Sequence, residues 1–214
     1  MGSASEPERL RPGDRAPGFE LPAADREGFV SLADYRRNRP VLLAFFRSLH
    51  CPFCRRQIAQ LASGAAKLEA LGVTTVAVVA TAPERARLYF RFRPPRFAVG
   101  ADPDLRTYRA YGLPSLPKTP AQMQVAEAAA AEMARELGIP AAPGQAREAI
   151  LRFDGFEPVD SDRHDAVRDQ GLVVGQFLIG RDGVVRWINI EKKPGELLTD
   201  DHLAAATSAR SPVT

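Results

Sequence analysis

Only two cysteines occur in the chain, and they stand three residues apart as Cys51 and Cys54. No apolar run approaches the ~20 residues that a membrane-spanning helix needs, so no membrane partner is expected. The opening stretch "MGSASEPERLRPGDRAPGF" holds no hydrophobic signal core, which makes the expected compartment cytoplasmic. It starts Met-Gly, but Glu6 stands where a myristoylation signal needs Ser or Thr. Charge of one sign is also scarce. Lys and Arg number 29 against 26 Asp and Glu, a net +3, with no basic block interleaved with aromatics, so no nucleic-acid partner is expected. Internal repeats are absent. In a reducing compartment, a lone cysteine pair is catalytic or metal-binding more often than it is a structural staple.

What is present is an ordinary globular composition. Of 214 residues, 45% are apolar and 26% charged, enough for one core-forming domain with insertions. Residues 1–12 form a polar lead, expected to be mobile. "VSLADYR" begins a short helix at Ser31. "PVLLAFF", 40–46, is a short continuous apolar run, the mark of a strand buried on both faces. From Pro52 to Ala70, Ile58, Leu61, Ala65 and Leu68 recur at helical spacing, so a helix starts at the cysteine pair and ends near Gly72. "VTTVAVVA" is a second β-rich run, and "APERARLYFRFRP" a second helix, halted by Pro94 and Pro95. "FAVGADPDLRTYRAYGL" reads as strand, turn and short helix.

Residues 114–170 differ in character. They hold many prolines, an Ala-rich helix near 121–137, a second helix near 145–152 and a charged loop, "DSDRHDAVRDQ". Their apolar content is mostly alanine, so they read as an insertion. After it, "LVVGQFLIGRDGVVRWINIE" is a β-hairpin turned at Arg181-Asp182-Gly183, and a last helix is expected near 200–209. The order predicts an α/β domain over 13–210: a central mixed sheet flanked by helices, with the helical insertion before the last β-hairpin.

A strand feeding a helix puts the connecting turn at the carboxyl end of the sheet, where α/β folds place their sites. Cys51 falls at the helix start, with Pro52 in the position proline favours there. Free backbone N–H groups and the positive dipole end favour a thiolate. Arg47, His50, Arg55 and Arg56 are close in sequence and could add positive potential, and such settings depress a thiol pKa. Cys54 lies one turn on, near enough for a disulfide. Two other readings stay open. A zinc or iron–sulfur site wants more ligands than the pair and the three histidines offer nearby. Two inert buried cysteines would simply be small core residues.

"GDRAPGFELP", "SLADYR", "VLLAFFRSLHCPFCRRQIAQL", "ADPDLRTYRAYGL" and "GQFLIGRDGVVRW" resemble, in that order, the thioredoxin-fold redoxins. The nearest likeness is to the peroxiredoxin-like branch of the alkyl hydroperoxide reductase/thiol-specific antioxidant group. The likeness spans about 11–113 and 171–191 and leaves 114–170 unexplained. It implies a thioredoxin-like fold and an antioxidant oxidoreductase that reduces peroxides or disulfides. Cys51 matches the reactive cysteine and Cys54 its C-x-x-C partner in a redox-active disulfide. No cofactor is implied. The partners are a peroxide or disulfide substrate and an external reductant, either thioredoxin-like or a low-molecular-weight thiol. Ala44 and Ser48 stand where peroxiredoxins carry Pro and Thr or Ser. Val174 stands where thioredoxins have a cis-proline and peroxiredoxins commonly an arginine.

Two side chains join the cysteines as candidate catalytic residues. Arg47 leaves the strand on the active-site side, where it could pair with a surface carboxylate or steady a thiolate and a peroxide oxygen. Ser48 could donate to the thiolate or cap a turn. The competing function is a non-catalytic redoxin-fold binding protein that uses the insertion as its partner surface.

Overall fold

The computed structural model describes residues 9–116, 119–169 and 171–196, together with 204 and 208. Most of the helix expected near 200–209 and most of the polar lead therefore lie outside the described residues.

The apolar run 40–46 becomes the middle of the sheet. Strand β3, Val41–Phe46, is buried at every position. Its side chains alternate between two cores: Leu42, Ala44 and Phe46 face one, and Val41, Leu43 and Phe45 the other. That alternation explains why the run shows no polar face. Two short strands precede it, β1 (Glu20–Pro22) and β2 (Phe29–Ser31), which pair antiparallel. Helix α1, Leu32–Arg36, follows from Ser31.

Beyond β3 come α2 (Pro52–Ala70), β4 (Thr74–Val79), α3 (Pro83–Phe92), β5 (Ala98–Ala101) and α4 (Arg106–Ala110). The segment after α4 holds α5 (Pro120–Glu136), α6 (Ala146–Ala149), a 3₁₀ turn at Ile150–Arg152, and α7 (Asp160–Arg168). Strands β6 (Gly175–Ile179) and β7 (Val185–Ile190) form the closing hairpin. The five-stranded sheet has the order β5-β4-β3-β6-β7. Strands β3, β4 and β5 run parallel, while β6 runs antiparallel to both of its neighbours, β3 and β7. One core lies under α2 and α3, with Ile58, Leu61, Leu68 and Phe90 on it, and the other under α1 and α4, with Leu32 and Tyr108. This is the mixed, helix-flanked α/β sheet that the sequence predicts.

Two backbone stretches lie along the outermost strands. The Gly13 N–H donates to the Val185 carbonyl (2.8 Å), and the Val185 N–H to the Asp14 carbonyl (2.9 Å). On the other side Ala23 bridges Gly100, and the Ala24 N–H donates to the Val99 carbonyl (2.7 Å).

One expectation is corrected. "DSDRHDAVRDQ" is not a loop; its first nine residues are α7. The Asp162 carboxylate accepts the Val159 N–H (2.8 Å), satisfying one orphan donor at the helix start. The same carboxylate pairs with Arg85 on α3 at 2.7 Å and is 1% exposed. Arg168 pairs with Asp165 one turn back (2.9 Å). Charge pairing in the last turns and a buried anchor in the first hold a helix that has almost no apolar face.

The Ala-rich helix α5 starts where Thr119 caps it. Its hydroxyl accepts the Gln122 N–H (3.2 Å), and the Gln122 side chain accepts the Thr119 N–H (2.8 Å). A small third core joins this segment to the start of α2: Ala130, Met133, Ala134, Ala146 and Ile150 pack on Phe53, the residue between the two cysteines.

Candidate active site

The turn 47–50 links β3 to α2 and is held from three sides. The Ser48 N–H donates to Asp169 (2.7 Å), the Leu49 N–H to the Thr81 hydroxyl (2.9 Å), and the Cys51 N–H to the Ser48 carbonyl (3.0 Å). Cys51 is the N-cap of α2 with extended backbone, and Pro52 follows in the first helical position. Its Sγ accepts the Cys54 N–H at 3.3 Å, a bond to one of the orphan donors of the helix. Cys51 is half-buried and Cys54 fully buried, and both are free thiols.

These surroundings push the two thiols apart. Burial alone would raise Cys51, but the hydrogen bond with the Cys54 side chain and then the Arg47 charge outweigh it and bring it down to about 6. Burial, followed by the bond to Cys51 and its charge, pushes Cys54 well above the ordinary cysteine range. One thiol is therefore largely ionised at neutral pH and its neighbour protonated, the division needed between an attacking and a reserve sulfur.

Arg47 has a carboxylate partner, a nearly buried one rather than one on the surface. Its guanidinium forms a two-pronged pair with Glu191 at the end of β7 (2.9 and 3.3 Å) and donates to the Leu172 carbonyl (3.0 Å). Its charge also acts on both sulfurs. Glu191 is further held by the Gly195 N–H (3.0 Å), and its side chain is 7% exposed. Ser48 sits beside Cys51 in the wall of the cleft described below and is 1% exposed.

The other basic residues near the pair do not serve it. Arg55 turns away and is spent on a buried knot. It donates to Asp154 (2.9 and 3.2 Å), to the Leu49 and His50 carbonyls (2.7 and 3.2 Å) and to the Leu151 carbonyl (2.6 Å). The guanidinium lies 4.2 Å from the centroid of Phe156 and 5.4 Å from that of Phe153. Arg56 pairs with Glu136 on α5 (2.5 Å). Burial lowers the His50 pKa, so the imidazole is neutral at pH 7 and adds no positive charge. Among the described residues, no group of three or more His, Cys, Asp or Glu is placed to hold a metal ion.

Reasoning from sequence missed Glu191, Asp169 and Asp154. Glu191 holds Arg47, Asp169 holds the Ser48 N–H, and Asp154 holds Arg55 beside the turn; each comes from a segment far along the chain, so no local motif marks it. Charge complementarity to the arginines flanking the cysteines was a signal for Glu191 and Asp154 alone.

Cys51 opens into a cleft of about 760 Å³. One wall is the 47–53 turn and helix start; the facing wall is built from Leu116 and the first turns of α5. Gly171 lies where this wall meets the sheet. Its φ is +80°, and an added Cβ would come within 1.9 Å of the Leu116 carbonyl oxygen, so only glycine fits.

Residues 12–188 match the model of the AhpC/TSA family. A Mycobacterium tuberculosis protein named as a peroxiredoxin is 34% identical over 104 residues, which are 49% of this chain and 65% of that protein. Among solved structures, the peroxidoxin BcpB of Mycobacterium tuberculosis superposes with TM-score 0.59 at 13% identity, covering 94% of this chain and 96% of its own. A Chlorobium tepidum protein described as the thiol:disulfide interchange protein DsbE gives TM-score 0.54 at 24% identity, covering 92% of this chain and 99% of its own. At these identities the structural likenesses establish the fold, which is thioredoxin-like.

Proposed function

This chain belongs to the AhpC/TSA family, and from that premise we propose that it is a thiol-based oxidoreductase that reduces peroxides or disulfides with Cys51 and Cys54. The observation that carries the reading is the half-buried Cys51 thiol, lowered to about 6 beside Arg47 and one turn from a protonated, buried Cys54.

The cycle balances with these two sulfurs. The Cys51 thiolate attacks one peroxide oxygen, and the O–O bond breaks as an S–O bond forms. The leaving oxygen takes a proton from solvent and departs as alcohol or water. Cys51 is now a sulfenic acid, oxidised by two electrons. Cys54 attacks its sulfur, water leaves, and a 51–54 disulfide remains for an external thiol to reduce, either a thioredoxin-like protein or a small thiol. With a disulfide substrate, the first step is thiol–disulfide exchange, and Cys54 resolves the mixed disulfide in the same way. Arg47 and Ser48 flank the reacting sulfur as the donors that stabilise charge on the leaving atom. Ala44 is packed inside β3 and Val174 offers no donor, so peroxide reduction is the slower of the two chemistries. As proposed, the cycle uses no prosthetic group and draws on a reducing, cytoplasmic thiol pool. In this reading residues 13–210 are one redoxin domain with 114–170 inserted. The binding-protein alternative leaves the division between the two thiols without a purpose.

Mild oxidation followed by alkylation and peptide mass analysis should yield a linked 51–54 peptide that dithiothreitol releases. Two thiols still alkylatable after oxidation by both a peroxide and a small disulfide would end this reading.

A further inference from the structure

We infer that a cavity between α2 and the connection from α3 to β5 is a binding site for a small organic anion with an apolar ring body. The cavity shares no lining residue with the cleft at Cys51, and the inference does not rest on the function proposed above.

Size and lining set the body of the ligand. The cavity holds about 310 Å³, at the lower end of sites that enclose a small molecule. That is room for about ten waters at ~30 Å³ each, more than inorganic phosphate fills. Ile58, Tyr89 and Pro95 are buried and form its bottom, and Ala59 and Pro94 are exposed at its mouth. With Ala62 and Phe153 completing the walls, the surface to be covered is mainly apolar.

Charge sets the other end. Three arginines and one aspartate are the charged groups of the lining. Arg55 and Asp154 neutralise each other in the buried knot, which leaves Arg93 and Arg96. Among the described residues, no carboxylate pairs with either of them. A site that is positive above an apolar bottom fits an acid with a hydrophobic body, and a guanidinium matches the two oxygens of a carboxylate.

The two arginines are also held in place before any ligand arrives. One nitrogen of Arg93 donates to the Asp154 carbonyl (2.5 Å), and the guanidinium lies 4.9 Å from the centroid of the Tyr89 ring. The Tyr89 hydroxyl is itself tied to the Asp154 carboxylate (3.1 Å). The remaining N–H groups of Arg93 are left to donate. Pro94 and Pro95 then fix two φ angles in succession. Arg96 follows at φ +63°, in the left-handed region that a residue with a side chain rarely adopts. Strain of this kind persists where the surroundings impose it, and ligand clamps are one such place.

The probe is 2-naphthoate, titrated into the isotope-labelled full-length protein and followed through the backbone amide signals by NMR. Saturable shifts should appear at residues 58–63, Arg93, Arg96 and 153–155, with a dissociation constant of about 1 mM or below. Inorganic phosphate lacks the body and 2-naphthylmethanol lacks the charge, so each should bind about tenfold more weakly or worse. Arg96→Glu, at an exposed position, should weaken naphthoate about tenfold or more, the size of one charge-assisted hydrogen bond. Ala59→Trp, which fills the mouth, should abolish the shifts. Arg109→Glu makes the same charge change at an exposed arginine outside the cavity and should keep wild-type binding. Circular dichroism confirms that the variants are folded. Shifts centred on 47–53 and 121–127 would put the probe in the Cys51 cleft and overturn the site. Phosphate binding as tightly as naphthoate, unchanged binding in Arg96→Glu, or no saturable shift in the wild type would overturn it as well.

Discussion

Arg55→Ala should destabilise the protein by about 3–5 kcal/mol, the cost of removing one partner from a buried ion pair. The Arg55 side chain is fully buried, and its donors reach Asp154 and the carbonyls of Leu49, His50 and Leu151. Truncation leaves the Leu49, His50 and Leu151 carbonyls without these donors and the Asp154 carboxylate, 18% exposed, without its charge partner. Arg55→Lys should recover only part of the loss, because an ammonium cannot serve acceptors spread around a planar fork. Once Arg55 is alanine, adding Asp154→Ala should cost little more, since the two act as a unit. Urea unfolding of the four proteins measures all of this. An Arg55→Ala midpoint equal to wild type would show that the knot is not holding the 114–170 segment to α2. Because the same side chain binds both residues just before Cys51, the variant should also react more slowly at that thiol.

The second large effect is on ionisation. In wild type, alkylation of Cys51 should follow a titration with its midpoint at about 6, so about nine-tenths of the thiol is ionised at pH 7. A free cysteine, with pKa ~8.5, is about 3% ionised there. Cys54→Ala removes the hydrogen bond that lowers Cys51 most, and Arg47→Ala removes the charge that comes next. Each should move the midpoint upward, Cys54→Ala further, and the double variant should approach the free value with about a thirtyfold loss of thiolate at pH 7. The same shift has a sign for stability. The folded thiol loses its proton at a lower pH than the unfolded one, so the reduced protein gains stability as pH rises from about 6 through the ordinary cysteine range. It loses that gain as pH falls back through 6. A wild-type midpoint at the ordinary cysteine value would remove the basis for assigning Cys51 as the nucleophile.

What could be read from the sequence was what local chemistry decides. The run Val41–Phe46 could only be a strand covered on both faces, Pro52 marked the start of α2, and Asp182-Gly183 fixed the hairpin turn. The division of labour among the arginines could not be read. Arg47, Arg55 and Arg56 look alike beside the cysteines, yet their partners lie far along the chain: Glu191 for Arg47, 144 residues on, and Asp154 for Arg55, 99 on. Only the fold decides that one of these charges reaches the sulfurs and another is sealed in a knot. Helix α7 was hidden for a related reason. It has no apolar stripe to show periodicity, and its hold on the protein is the Arg85–Asp162 pair, which spans 77 residues.

The backbone stretches laid along the outermost strands have a consequence of another kind. A strand at the border of a sheet offers a row of free N–H and C=O groups, a template on which other chains can polymerise. Residues 13–14 occupy such groups on β7, and residues 23–24 do so beside β5. They belong to the part of the chain before β3, which supplies none of the reacting groups. Their contribution is to colloidal behaviour: at Val185, Val99 and Gly100 they fill positions on which another chain could otherwise pair.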